Sequence, residues 1–310
     1  MNIFVAGGTG AIGRFLVPLL ANAGHKVIAL TRSPDRTAQL AQMGAVPVVG
    51  DVYDEARLAR LVAESEAEIV IHQLTAFGTR TGDPYAETIR VRIEGTRSLI
   101  AAARAARVRR LIAQSISFMC SPAGSGLTDE ETPLYLDAPP AVRALAEAVA
   151  SLEQQTLNAR GVSGTVLRYG WFYGPGTSWD PDGFIPRAIR EATYPIVGAG
   201  AGTYSFINLR DAAAATLRAL AHDATGIYNV VDDSPARLSE WLPFAAQLLG
   251  APAPGHEDVA SARKRIGDMR VYYMNEQRGA SNAKAKRELG WQPTVPSWRT
   301  GFQALYSNED

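Results

Sequence analysis

The sequence predicts an α/β protein, a doubly wound parallel sheet that carries a smaller C-terminal lobe. Three observations lead there. Short apolar runs alternate with helical patterns through the first half of the chain, as expected for βαβ units with helices on both faces of a sheet. Glycines at 7, 10 and 13 stand between the first apolar run and the first helical pattern. From about Gly174 the alternation gives way to Pro175, Gly176, Pro181, Gly183 and Pro186, then to an aromatic, glycine-rich stretch from Tyr194 to Phe206.

The elements follow in order. Ile3 to Ala6 is apolar and stops at glycines, so it reads as a strand. Ile12 to Ala23 repeats Phe15, Leu16, Leu19 and Leu20 at helical spacing and closes at Gly24. Lys26 to Leu30 reads as a strand, Thr37 to Gln42 as a helix ended by Gly44, and Val46 to Val49 as a strand. Glu55 to Ala63 is helical, Ile69 to Ile71 a strand, Ile93 to Arg104 a helix and Arg110 to Ser115 a strand. The long helix from Val142 to Ala159 leads to a strand from Thr165 to Arg168. Asp211 to His222 returns to helix and Ile227 to Val231 to strand, and Ala251 to Asp258, with two prolines, reads as a loop. Residues 1–170 form the expected nucleotide-binding domain. Residues 171–310 are mostly a substrate lobe, with Asp211 to Val231 expected to rejoin the first domain's core.

Composition narrows the class. Of 310 residues 46% are hydrophobic, enough for a core. Lys+Arg and Asp+Glu both number 31, so no net charge points to nucleic acid or an anionic membrane. Cys120 is the single cysteine and no Cys/His group has metal-ligand spacing, so neither a disulfide nor a metal is expected. No apolar run approaches 18 residues, and MNIFVAGGTG lacks the basic start of a signal peptide. The expectation is a soluble, cytoplasmic protein that acts on a small molecule and pairs, at most, with a second copy of itself.

Gly7, Gly10 and Gly13 make G-x-x-G-x-x-G directly between strand and helix. The first glycine permits a tight turn, the second lets backbone approach a pyrophosphate, and the third lets helix pack on strand, with the helix N-terminus facing the phosphates. Thr9, Ala11 and Ile12 complete the loop. After the second strand comes Thr31-Arg32-Ser33, with no acid before Asp35. Arginine there suits a ribose 2′-phosphate, whereas a carboxylate would suit a 2′-hydroxyl, so NADP(H) is expected over NAD(H). Asp51 and Val52 end the third strand, where a carboxylate can accept from an adenine amino group.

The chain resembles the extended short-chain dehydrogenase/reductases of the nucleotide-sugar epimerase/dehydratase superfamily, almost end to end. Gly7 to Gly13 is similar to that family's cofactor loop. Ile71-His72-Gln73-Leu74-Thr75-Ala76 resembles the fourth-strand motif along the nicotinamide half of the cofactor, which implies Leu74, Thr75 and Ala76 as cofactor neighbours. Glu94-Gly95-Thr96-Arg97 resembles the N-V-x-G-T helix, with Arg92 at the usual Asn. Leu167-Arg168-Tyr169-Gly170-Trp171-Phe172-Tyr173-Gly174-Pro175-Gly176 is similar to L-R-x-x-N-V-Y-G-P-G, with Trp171 at the Asn. Ser205 to Asp211 and Leu289 to Pro293 match two later signatures. The resemblance implies a Rossmann fold and hydride chemistry.

The chain departs from the family where the chemistry should lie. The family uses Ser/Thr with a Tyr and Lys four apart on one helix, the lysine easing proton transfer by the phenol. None of the 11 tyrosines here is followed four residues later by lysine, and the lysines are only Lys26, Lys264, Lys284 and Lys286. Aligning on Glu153 puts Leu145 at the tyrosine position and Val149 at the lysine position, and Arg110 to Ser117, which resembles the family's fifth strand, puts Ile116 at the hydroxyl, flanked by Ser115 and Ser117. Ser115, Ser117 and Tyr169 remain as candidate catalytic groups, with Tyr173, Tyr135, Arg168 and Arg143 behind them. His72 reads as structural. Trp171 and Tyr204 are expected to line the substrate pocket, and Arg187 and Arg190 face either an anion or solvent. The reading favours an NADP(H)-dependent oxidoreductase or isomerase/epimerase of a small carbonyl or hydroxyl compound with a degenerate relay. A non-redox lyase or cyclase, and a catalytically silent NADP(H)-binding sensor, are the alternatives.

Overall fold

The computed structural model describes residues 1–76 and 83–307. Seven parallel strands form the central sheet: β1 (Asn2–Ala6), β2 (Lys26–Thr31), β3 (Ala45–Val49), β4 (Ile69–His72), β5 (Arg110–Ile116), β6 (Ser163–Tyr169) and β11 (Gly226–Val230), in the order β11-β6-β5-β4-β1-β2-β3. The order reverses between β1 and β4, which opens a crevice at their C-terminal ends.

The strands' two-residue alternation sorts side chains between two helical layers. Ile3 and Val5 pack with residues of α1 (Gly13–Asn22), α2 (Thr37–Gln42), α8 (Leu209–Ala221) and α11 (Ala283–Leu289). Phe4 and Ala6 pack on the other face with α3 (Glu55–Glu64) and α5 (Thr96–Ala105). On that same face α6 (Pro140–Leu157) lies against β5 and β6.

A second group of elements sits beyond the strand ends. β7 (Trp171–Tyr173) pairs with β10 (Phe206–Asn208), β9 (Thr203–Tyr204) with β12 (Ala236–Arg237), and β8 (Ile196–Val197) with β13 (His256–Glu257). α7 (Phe184–Arg190), α9 (Leu238–Leu248), α10 (Val259–Val271) and α12 (Trp298–Tyr306) complete it. Its core is aromatic: Trp179, Trp241, Trp298, Phe206 and Phe302 pack on one another in edge-to-face and tilted contacts.

Two local expectations change. The segment from Ala251 to Asp258 is not wholly loop, because His256 and Glu257 add a parallel pair to β8. The helix expected from Ile93 begins earlier, at α4 (Pro84–Arg90), where Asp83 caps Tyr85 N–H, and reaches α5 through a π-helical turn, Val91–Gly95. That turn inserts an extra residue into the helical repeat and buries Arg92.

Candidate active site

The glycine loop has the geometry of a phosphate cradle. Gly7 has φ +100°, and a Cβ there would lie 2.6 Å from Gln73 O at the end of β4. A Cβ on Gly13 would lie 2.4 Å from Gly8 O, so the first turn of α1 packs directly on the loop. Gly10 is exposed, and a Cβ there would meet only Gly7 O, at 3.2 Å. The loop is closed beneath and open above, and a pyrophosphate laid over it would face the helix N-terminus.

The other expected cofactor contacts sit along the same sheet edge. Arg32 follows β2 and is exposed. Arg36, which sequence reasoning passed over, donates through Nη1 to Thr9 Oγ1 at 3.2 Å, so its guanidinium borders the loop on the β2 side. Asp51 is half-buried and accepts from Tyr53 N–H, while Val52 is packed in the core. Leu74 N–H donates to His72 Nδ1 at 3.2 Å, Thr75 is exposed, and Ala76 N–H donates to Thr88 Oγ1 at 3.2 Å.

His72 is fully buried. Since Nδ1 accepts from Leu74, Nε2 carries the proton and donates to Thr96 Oγ1 at 3.0 Å. Burial, with Arg92 nearby, holds its pKa down at about 3, so the imidazole is neutral and structural.

The relay positions are hydrocarbon. Ile116, Leu145 and Val149 belong to one buried apolar cluster that also holds Val142 and Ala146. Of the flanking serines, Ser115 has its hydroxyl already engaged. Ser115 is buried and donates through Oγ to Glu153 Oε1 at 2.7 Å. Glu153 also takes Arg168 Nε at 2.8 Å and Nη2 at 2.7 Å, a buried bidentate pair. Ser117 lies past the end of β5, buried, with its N–H on Tyr169 O.

Tyr169, the expected proton donor, lies on the other face of the sheet from α6. Its ring packs with α1 and α8 residues, and its hydroxyl shares a 2.6 Å hydrogen bond with Thr216 Oγ1 of α8. Burial lifts its pKa to about 12, and those contacts take it away from the α6 positions. The odd–even alternation of β6 is the reason: Arg168 points toward α6 and Tyr169 therefore points away.

The lobe contributes aromatics. Trp171 is half-buried, stacks on Phe118 with centroids 4.1 Å apart, meets Tyr273 edge to face at 4.9 Å, and donates Nε1–H to Gln277 Oε1 at 3.3 Å. Tyr204 is buried against Trp171, Phe206 and Trp241, so it belongs to the aromatic core rather than to an open wall. Tyr173 is buried against Phe302. Arg187 and Arg190 are on the exposed side of α7, where Arg190 donates to Pro181 O.

Sequence reasoning did not place Arg92 or Tyr273 in the site. Arg92 is 2% exposed, and among the described residues its Nε and Nη1 have no hydrogen-bond partner. Burial lowers its pKa to about 10 against the pull of Glu153 and Tyr273, so it stays charged. Its departure from the family's Asn was the one signal in the sequence.

Residues 3–231 match the NAD dependent epimerase/dehydratase family. Over 306 residues, 97% of this chain and 99% of the relative, the sequence is 42% identical to a 3-diazoavenalumate denitrifying reductase from a Streptomyces species. It is 27% identical, over 98% of this chain and 96% of the relative, to a 4-hydroxy-2-methyl-3-oxo-4-farnesyl-3,4-dihydroquinoline-1-oxide ketoreductase from Stigmatella aurantiaca. Among solved structures, UDP-glucose 4-epimerase from Thermotoga maritima with UDP-glucose superposes with a TM-score of 0.77 at 22% identity, covering 99% of this chain and 97% of that one. The dTDP-glucose 4,6-dehydratase of Streptomyces venezuelae with NAD bound gives 0.77 at 22% identity, covering 99% and 96%. No helix among the described residues is long and apolar enough to cross a membrane.

Proposed function

Because the chain belongs to the NAD dependent epimerase/dehydratase family and is an NAD(P)-dependent enzyme of the reductase, epimerase and dehydratase type, we propose that it is an NADPH-dependent reductase whose acceptor needs no tyrosine–lysine proton relay. The observation that carries this reading is the hydrocarbon at 116, 145 and 149. Reducing a ketone leaves an alkoxide that must be protonated, and a phenol–ammonium pair one helical turn apart does that work in the family. A site with Ile, Leu and Val at those places suits an acceptor that takes hydride without generating a strongly basic oxygen.

An arenediazonium group is such an acceptor. Hydride forms an N–H bond at the terminal nitrogen while one N–N π pair moves onto the inner nitrogen as a lone pair, giving a neutral aryl diazene. The diazene's N–H and C–N bonds then break, N2 leaves, and the hydrogen ends on carbon as a C–H bond. No proton from the protein enters that balance. The relative at 42% identity is named for reductive loss of nitrogen from a diazo compound, and that class of substrate is carried to this chain as part of the proposal.

When bound, the reduced nicotinamide supplies the hydride, and the chain's part is binding, orientation and exclusion of water. In this reading Gly7, Thr9, Gly10, Ala11, Ile12 and Gly13 hold the pyrophosphate. Arg32, joined by Arg36, meets the 2′-phosphate, Asp51 and Val52 border the adenine, and Leu74, Thr75 and Ala76 flank the nicotinamide half. Trp171 and Phe118, stacked on each other and half-buried, would form the aromatic wall against which an aromatic substrate packs. The test is NADPH oxidation with the diazo derivative of 4-hydroxybenzoate against a panel of ketones and aldehydes. Consumption with the diazo compound, one N2 released per NADPH, supports the reading. Efficient ketone reduction with none of the diazo compound consumed overturns it.

A further inference from the structure

Arg92 is a buried cation without a matching anion. Its guanidinium, buried on the π-helical turn, feels the charge of Glu153 on α6 and lies within electrostatic reach of His72 at the end of β4 and Tyr273 of the lobe. Glu153 is the nearby carboxylate, and both of its oxygens are already taken by Arg168, with Ser115 as a third donor. Two arginines therefore share one carboxylate, and His72 adds no charge because it is neutral.

An arginine so placed pays the cost of leaving water without the hydrogen bonds that normally offset it. Two of its N–H-bearing nitrogens, Nε and Nη1, are buried and unpartnered among the described residues. They lie on different edges of the planar guanidinium, Nε beside Nη2 and Nη1 beside Nη2, so either edge would offer a carboxylate one of these orphaned donors together with Nη2. Tyr273, which interacts electrostatically with Arg92, packs edge to face on both Phe118 and Trp171. A neutral ligand would satisfy the N–H groups but leave the excess charge. An anion satisfies both.

We propose that Arg92 is the residue that binds the carboxylate of an aromatic acid substrate, holding it from the π-helical turn while the ring lies against the lobe aromatics. This names the substrate class of the site described under the reductase reading and rests on that reading for the site's use. Its test, however, is binding and not turnover, so the two can fail separately.

The experiment is titration calorimetry on the NADP+ complex with 4-hydroxycinnamate and with its methyl ester, for wild type, Arg92→Gln and Arg92→Lys. Wild type should prefer the acid. Arg92→Gln should weaken the acid by about 10- to 100-fold, the usual worth of a charge-assisted contact, and leave the ester within about threefold. Arg92→Lys should keep part of the preference. The melting temperature adds a readout that an internal ion-pair role would move the other way: Arg92→Gln should hold or raise it, because an uncompensated charge is removed. Four results overturn the proposal. Wild type binds acid and ester alike, or binds no acid at millimolar concentration. Arg92→Gln weakens acid and ester equally. The loss appears in NADP+ affinity, which makes Arg92 a cofactor contact. Arg92→Gln unfolds while Arg92→Lys keeps wild-type stability yet binds acid and ester alike, which makes the charge structural.

Discussion

Replacing Glu153 with Gln should be among the most damaging single changes in the sheet domain that leave its shape intact. The side chain is 6% exposed and accepts Ser115 Oγ at 2.7 Å, Arg168 Nε at 2.8 Å and Arg168 Nη2 at 2.7 Å. The introduced glutamine keeps the volume and one acceptor oxygen but turns an N–H2 toward Arg168. Two buried guanidinium groups are then left facing no carboxylate. Breaking one side of a buried ion pair costs roughly 3–5 kcal/mol, and at about 2–4 °C per kcal/mol for a large domain the melting temperature should fall by roughly 6–20 °C. The structure also fixes the sign of a coupling. Arg92 is attracted to Glu153, so removing Arg92 gives up that attraction in wild type and gives up nothing once Glu153 is replaced. Arg92→Gln should therefore stabilise the Glu153→Gln protein more than it stabilises wild type, by an amount a double-mutant cycle reads directly. Urea unfolding of the four proteins at one pH is the assay. Additive effects, or a loss below about 1 kcal/mol for Glu153→Gln, would refute the picture of one carboxylate shared by two cations.

Two further outcomes follow from residues away from that cluster. Arg32→Asp should reverse the preference for NADP(H) over NAD(H), by about 1–3 kcal/mol in fluorescence titrations of both cofactors, and equal wild-type affinities would remove the basis for it. Asp232 is buried beside β11 with Oδ2 unpartnered among the described residues, and burial, with Asp233 and Asp211 nearby, pushes its pKa up to about 7. The folded state thus holds that proton more tightly than the unfolded chain does. Stability from this group is fullest below about pH 4, falls as pH rises to about 7 and is level above. Asp232→Asn should flatten that slope and gain about 2–4 kcal/mol over wild type at pH 8 relative to pH 4, and parallel stability–pH curves would contradict it.

Much of this was legible in the sequence because it depends on local periodicity. The β1–glycine–α1 unit could be read from apolar alternation and three spaced glycines, and the structure shows what each spacing is for: Gly7 clears Gln73 O and Gly13 clears the loop backbone. The loss of the relay was also legible, since it is an absence of lysine over a long stretch. What was not legible depends on which face a side chain takes and on contacts between distant segments. Tyr169 looked available because it ends a strand beside the expected site, yet strand alternation gave that side to Arg168 and sent the phenol to Thr216. Ser115 looked free until Glu153, 38 residues on, took its hydroxyl. Arg92 was visible as an odd residue, but its burial needs the π-helical turn, and nothing in the helical spacing around it marks that extra residue.

The claim that hydride moves here without a protein proton relay is tested most directly by single-turnover oxidation of NADPH, and of NADPH deuterated at the transferred position, with the diazo derivative of 4-hydroxybenzoate between about pH 6 and 9. The account predicts a primary isotope effect on a rate that stays level across that range, with one N2 released per NADPH. A rate that rises or falls through a single group near neutral pH, abolished by Tyr273→Phe, would contradict it.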